Sequence, residues 1–174
     1  MKDSVKLTLC DHIRKRPGMY FGDPDHTGLM VWLTEQFWFS QAQIQENRAR
    51  FVRVTLRNGR EVVIEDDGSV LTPENLEQFF IAEEWQDAGS SFPESWPMHR
   101  FGANAPFLFG AAAERLDVRI SNEEGEFGVA TECGQRVSGL CKFATRELSP
   151  PVRARVTAIP DPEIFNPEIS GELR

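Results

Sequence analysis

Residues 14–29 read Arg-Lys-Arg-Pro-Gly-Met-Tyr-Phe-Gly-Asp-Pro-Asp-His-Thr-Gly-Leu, and the fold turns on how this run is read. Pro17 and Gly18 stop a helix, while Gly22 and Pro24 force turns, so no helical or strand period produces it. Upstream, residues 5–13 fit either a short helix or a strand that ends at the Pro17–Gly18 break. Downstream, Leu29, Trp32, Leu33, Phe37 and Ile44 recur at roughly helical spacing, with Gly28 ahead and polar residues closing the run. That pattern predicts a long helix over 28–47.

Farther along, residues 51–57 and 61–66 alternate about Asn58-Gly59, a strong hairpin signal. Thr72-Pro73-Glu74 predicts a short helix with Thr72 as N-cap and Pro73 at its first position. Residues 83–100, rich in Trp, Ser, Pro and acids, read as an irregular loop. Residues 103–115 are apolar and Ala-rich and predict a buried helix that tolerates Pro106 only in its first turn. A second hairpin spans 116–121 and 126–132 about Glu123-Glu124-Gly125, and 136–145 and 152–159 are further strands split by Ser149-Pro150-Pro151. The sum is an α+β two-layer sandwich: a mostly antiparallel mixed sheet with helices on one face. It reads as one domain over 1–165, with 166–174 a poorly packed tail.

At 174 residues the chain is long enough for a real core. No apolar run is long enough to span a bilayer, and no signal-peptide pattern opens the sequence. Cys10, Cys133 and Cys141 are odd in number and lack metal-ligand spacing, so they read as reduced thiols in a cytoplasm, with no metal site. A net charge of −8 argues against gripping a DNA backbone unaided. The basic run Arg14-Lys15-Arg16 is short and reads equally well as a solvated edge.

Residues 14–29 resemble the N-terminal signature of the ATPase domain of type IIA topoisomerase B subunits, gyrase B and topoisomerase IV B. That domain has the GHKL (Bergerat) fold shared with MutL, histidine kinases and the heat-shock ninety chaperone. The resemblance covers about residues 10–165 and implies the same two-layer sandwich. It implies ATP or ADP with Mg²⁺ as ligand, and it names positions where nucleotide-handling residues should stand. On the long helix, Glu35 falls where the family places the general base that activates water. One turn on, where the family has an Asn ligand to Mg²⁺, stands Phe39, which offers no oxygen to a hard cation. Trp38 replaces a usual Asp. Residues 32, 35, 38 and 39 are expected on one helical face, with Trp38 and Phe39 filling the former cavity around a lone carboxylate. Glu35 reads equally as an ordinary charged helix residue.

Ile64-Glu65-Asp66-Asp67-Gly68-Ser69-Val70 stands where the family has Asp-x-Gly-x-Gly after a strand. Asp66 then matches the acceptor for the adenine amino group and Gly68 matches the first glycine, while Val70 replaces the second. The same four residues Asp66–Ser69 also read as a plain turn. Arg100-Phe101-Gly102-Ala103-Asn104-Ala105-Pro106 aligns with the glycine-rich lid that cradles phosphates at a helix N-terminus. Gly102 is retained, Asn104 stands for a glycine, and Pro106 removes a donor. Residues 153–165 resemble the family's exit strand, with Arg153-Ala154 in place of a Gly-Thr pair. The sequence then ends, and the expectation is that the family's next domain, which supplies a lysine to the γ-phosphate, is absent.

Three readings follow. The first is a degenerate gyrase-B-like domain, impaired in hydrolysis and needing no cofactor, that acts by binding a protein partner or a second copy of itself. The second is a genuine nucleotide-binding protein with slow ATPase activity, holding Mg²⁺ mostly through phosphates and water. The third is a repurposed small-molecule pocket in which Trp38 and Phe39 stack on a ligand and Asp66 supplies polarity.

Overall fold

Strand β1 (Val52–Arg57) turns back into β2 (Glu61–Asp66) through Asn58 and Gly59, whose φ angles are 53° and 67°. Left-handed backbone at both positions is what the Asn-Gly pair supplies at little cost. In the computed structural model, which describes residues 8–80, 105–145 and 147–165, this hairpin forms one end of a six-stranded sheet. The remaining strands are β3 (Ala113–Asn122), β4 (Gly125–Glu132), β5 (Gln135–Phe143) and β6 (Ala154–Pro160). Their order is β1-β2-β6-β3-β4-β5, and every pairing is antiparallel.

Strand register sets which residues face the helices. Val62, Ala158, Leu116 and Thr131 form one row across four strands, and Ile64, Val156, Val118 and Val129 form the next. Both rows are buried, and all of their members but Thr131 join the apolar core. Because side chains alternate faces, the third inward row is Asp66, Ala154, Ile120 and Phe127. A carboxylate therefore continues an apolar stripe into the interior.

Among the described residues, five helices supply the other layer: α1 (Leu9–Lys15), α2 (Gly18–Phe21), α3 (His26–Gln45), α4 (Leu76–Phe80) and α5 (Ala105–Ala111). The first segment is a helix because Thr8 and Asp11 close a capping box on each other's backbone N–H groups. Asp25 caps α3 by accepting from the Thr27 N–H at 2.7 Å. A Cβ on Gly28 would strike the Asp23 carbonyl, so glycine lets α3 start tight against the preceding turn. The helix expected directly after Thr72 begins at Leu76, since Asn75 Oδ1 accepts the Thr72 N–H at 2.8 Å and closes a turn first. The helix expected over 103–115 ends at Ala111, where the alternation of Leu116, Val118 and Ile120 takes the chain into β3. The 83–100 loop and the 166–174 tail lie outside the described residues.

Candidate functional site

The site is built where α3 crosses the end of β2. The inward face of α3 changes character along its length. Leu29 and Trp32 are apolar, whereas Gln36, Ser40 and Gln43 farther on are polar, and all five are buried. Spacings of four and three keep the polar trio on that face. Beneath it, Asp66 is only 4% exposed. Its carboxylate accepts from Ser40 Oγ at 2.8 Å and from the Gly68 N–H at 2.9 Å. Burial pushes the Asp66 carboxyl above the ordinary carboxylate range; the Ser40 and Gly68 bonds oppose that, and the neighbouring Asp67 charge adds to it.

Gly68 is needed for a packing reason. A Cβ there would collide with Gln43 Oε1 and crowd Asp66 Oδ1. Gln43 Oε1 in turn receives the Val70 N–H at 3.4 Å, and the Val70 side chain packs in the core. The Asp-Asp-Gly-Ser turn is thus clamped to α3 through a side-chain amide. Gln43 Nε2 and Gln36 Oε1 are buried with no hydrogen-bond partner among the described residues. These three polar residues of α3 escape sequence reasoning, which takes the glutamines as part of the helix's polar close. Their i, i+4, i+7 spacing, in phase with Leu29 and Trp32, is the signal that could have found them.

Asp67 does a different job from Asp66. It faces the other way and accepts the N–H groups of Arg50 and Phe51 at 2.7 and 3.2 Å, and Arg50 Nε at 2.9 Å. Burial raises its pKa, but these bonds outweigh burial and hold the carboxyl below its usual value.

Glu35 sits half-buried on the flank of α3. Its Oε2 is buried and has no partner among the described residues, and burial pushes the carboxyl above its ordinary range. Phe39, one turn on, is 3% exposed and belongs to the core, whereas Trp38 is 46% exposed. The expectation that Trp38 helps fill the interior is therefore corrected. At about 100° per residue, Trp38 lies roughly a third of a turn round from Trp32, while Phe39 falls almost above it. Trp32 itself stacks on Phe109 at 4.1 Å and donates Nε1–H to the Phe109 carbonyl.

Glu35 is the single carboxylate on α3, and Phe39 stands one turn past it. No group of three His, Cys, Asp or Glu side chains among the described residues is placed to hold a metal ion. Ala154, buried opposite Asp66, brings no hydroxyl to it. Gly102 and Asn104 lie outside the described residues. Open space adjoins the turn on its outer side. A cavity of about 760 Å³ runs from Asn47–Arg50 past Asp67 to Leu148 and Pro151. A second, of about 320 Å³, begins at Gly68 and Ser69, and the two share Ser121, Asn122, Glu123 and Arg153. Neither lining includes Glu35 or Asp66.

The fold, a long helix laid over an antiparallel sheet, is that of solved gyrase B structures, and the chain is similar in sequence to topoisomerase 4 B subunits. It superposes on the B-subunit of the DNA gyrase from Myxococcus xanthus with a TM-score of 0.74 and 20% identity, covering 91% of this chain and 44% of that one. The 43K ATPase domain of Thermus thermophilus gyrase B, solved in complex with an aminocoumarin, gives 0.70 and 22%, covering 92% and 41%. The B subunit of DNA topoisomerase 4 from Rickettsia bellii (strain RML369-C) is 23% identical over 187 residues, and that from Rickettsia conorii (strain ATCC VR-613 / Malish 7) is 21% identical over 180. The chain spans about a quarter of the length of these curated relatives, 26% in both cases. It matches no family model. Among the described residues no helix is long and apolar enough to cross a membrane.

Proposed function

We propose that this domain keeps the gyrase-B-type ATPase scaffold without its hydrolytic chemistry and acts by binding a protein partner. The observation that carries this reading is Phe39. A ring buried to 3% exposure stands in the core one turn past Glu35, at the position the family resemblance assigns to an oxygen ligand of Mg²⁺. Glu35, the matching position for a general base, then has no metal-bound phosphate to work on. Its Oε2 is buried without a partner among the described residues. With a net charge of −8 the domain is unsuited to holding DNA alone, and its three thiols suit a reducing cytoplasm.

One observation favours nucleotide binding without efficient turnover. Asp66 keeps a buried carboxylate at the position matched to the adenine acceptor, and the second cavity opens beside Gly68. The pocket reading has less support, because an exposed Trp38 cannot stack inside the hollow with Phe39.

Thermal melts with ATP, ADP and an aminocoumarin, each with and without Mg²⁺, separate the readings. A ligand at about 100 times its Kd stabilises a fold by about 2.7 kcal/mol, or roughly 5–10 °C for a domain of this size. The expected result is no Mg²⁺-dependent shift. A Mg²⁺-dependent shift with ATP that disappears in Asp66→Asn would overturn the proposal in favour of a nucleotide-binding enzyme.

A further inference from the structure

The two edges of the sheet are treated differently. At β5, register shifts interrupt the pairing with β4, and the Leu140 N–H is taken by Glu77 Oε1 of α4 at 2.8 Å. Such devices blunt an edge against further pairing. Strand β1 has none of them. It runs in unbroken register with β2 from Val52 to Arg57, carries no proline, and presents no charge on the helix-facing side. On that side Val54 and Leu56 are 51% and 40% exposed, although their cross-strand partners Ile64 and Val62 are buried. The apolar stripe of the sheet therefore extends one strand beyond its cover.

The opposite face ends in positive charge. Glu65 receives Arg53 from β1 and Arg155 from β6, each at 2.9 Å through Nε, so two guanidinium groups share one carboxylate. This leaves an excess cation at the end of the ladder, on a chain whose net charge is −8. Arg57 is 50% exposed and holds Glu61 only at 3.8 Å. Each guanidinium has donors to spare for a second carboxylate.

We propose that β1 takes up an additional antiparallel strand from a protein partner, in which acidic residues opposite Arg53 and Arg57 alternate with apolar residues opposite Val54 and Leu56. Backbone pairing along the edge supplies affinity and the alternating side chains supply selectivity. A second copy of β1 is a poor occupant, since the strand carries no acid to meet Arg53 and Arg57, and the register that pairs those two arginines sets like charges directly opposite. Strand addition at this edge does not depend on whether a nucleotide binds beside Asp66.

The test uses a fluorescein-labelled nonapeptide, Gly-Thr-Glu-Val-Thr-Val-Glu-Thr-Gly, and the same peptide with Lys for both Glu. Fluorescence anisotropy on the unaltered chain should show saturable binding of the acidic peptide and at least about tenfold weaker binding of the basic one. Hydrogen exchange should slow at residues 52–57 when the acidic peptide is present. The double variant Arg53→Glu/Arg57→Glu should reverse the preference. Where that variant loses its fold along with the Glu65 pairing, exchange on the unaltered chain decides. Equal binding of both peptides, no binding up to about 1 mM, or binding without protection of β1 each overturns the proposal.

Discussion

Glu35 carries a carboxyl whose Oε2 is buried without a partner among the described residues. Burial pushes its carboxyl above the ordinary value of 4.5, so the folded chain holds that proton to higher pH than the unfolded chain does. Stability from this group therefore falls as pH rises through the interval between the two values. Glu35→Gln removes the penalty, and the variant should melt above the wild type near about pH 7. The gap should close as pH is lowered and be gone below the unfolded value of 4.5, which a series of melts across pH checks. A constant offset at every pH would show that the charge is not the cause. Phe39 makes the opposite prediction. Truncating a buried ring to alanine should cost about 3 kcal/mol in urea melts, because the lost contacts leave a cavity. A cost under about 1 kcal/mol would mean that the ring packs loosely enough for the hollow to open. The family resemblance, registered from Gly28, singled out both positions. The exposure of Trp38 was missed because residues 32, 35, 38 and 39 were set on one face, whereas about 100° per residue turns Trp38 roughly a third of a turn from Trp32.

The elements are joined by buried acids more than their hydrophobic patterning shows. Glu126 on β4 is fully buried and accepts the N–H groups of Glu147 and Leu148 at 2.8 and 2.9 Å, with Arg119 at 3.4 Å. It thereby pins the connection from β5 to β6 that walls the larger cavity. Glu126→Ala should cost about 2–4 kcal/mol by stranding those donors. Hydrogen exchange should accelerate at residues 147 and 148 first, and unchanged exchange there would refute the anchoring role. The hairpins were readable because turn chemistry is local: Asn58-Gly59 and Gly125 announce themselves. The end of α5 was not, since the alanines after Ala111 suit a helix and only pairing with β6 pulls Ala113 into a strand. The polar stripe of α3 was passed over as the helix's polar close, although Gln36 and Gln43 stand in phase with Leu29 and Trp32.

At the scale of the whole molecule, the two most recognisable stretches of sequence meet in space. Arg14 of the opening run pairs with the buried Asp161 of the exit segment at 2.5 Å and donates to the Ala111 carbonyl of α5. Phe21 packs against Phe165 at 5.6 Å, and Phe165 lies 5.8 Å from Trp32. Asp161 also accepts the Glu163 N–H, and its own N–H donates to the Ala112 carbonyl. Residues 14–29 and 153–165 thus close the helical layer over the sheet from both ends of the described chain. These stretches hold the fold, whatever the hollow does. A molecule closed in this way should unfold as one unit. Far-ultraviolet circular dichroism, which follows the strands and helices, and the near-ultraviolet signal, which follows packed aromatic rings, should give coincident urea transitions. Asp161→Ala should move both to lower urea together, by about 2–3 kcal/mol, because it strands the half-buried Arg14 guanidinium and opens the turn into Phe165. Transitions that separate in the wild type would show that the helical layer and the sheet melt independently. Transitions that separate only in the variant would identify the Arg14–Asp161 pair as the clasp that couples them.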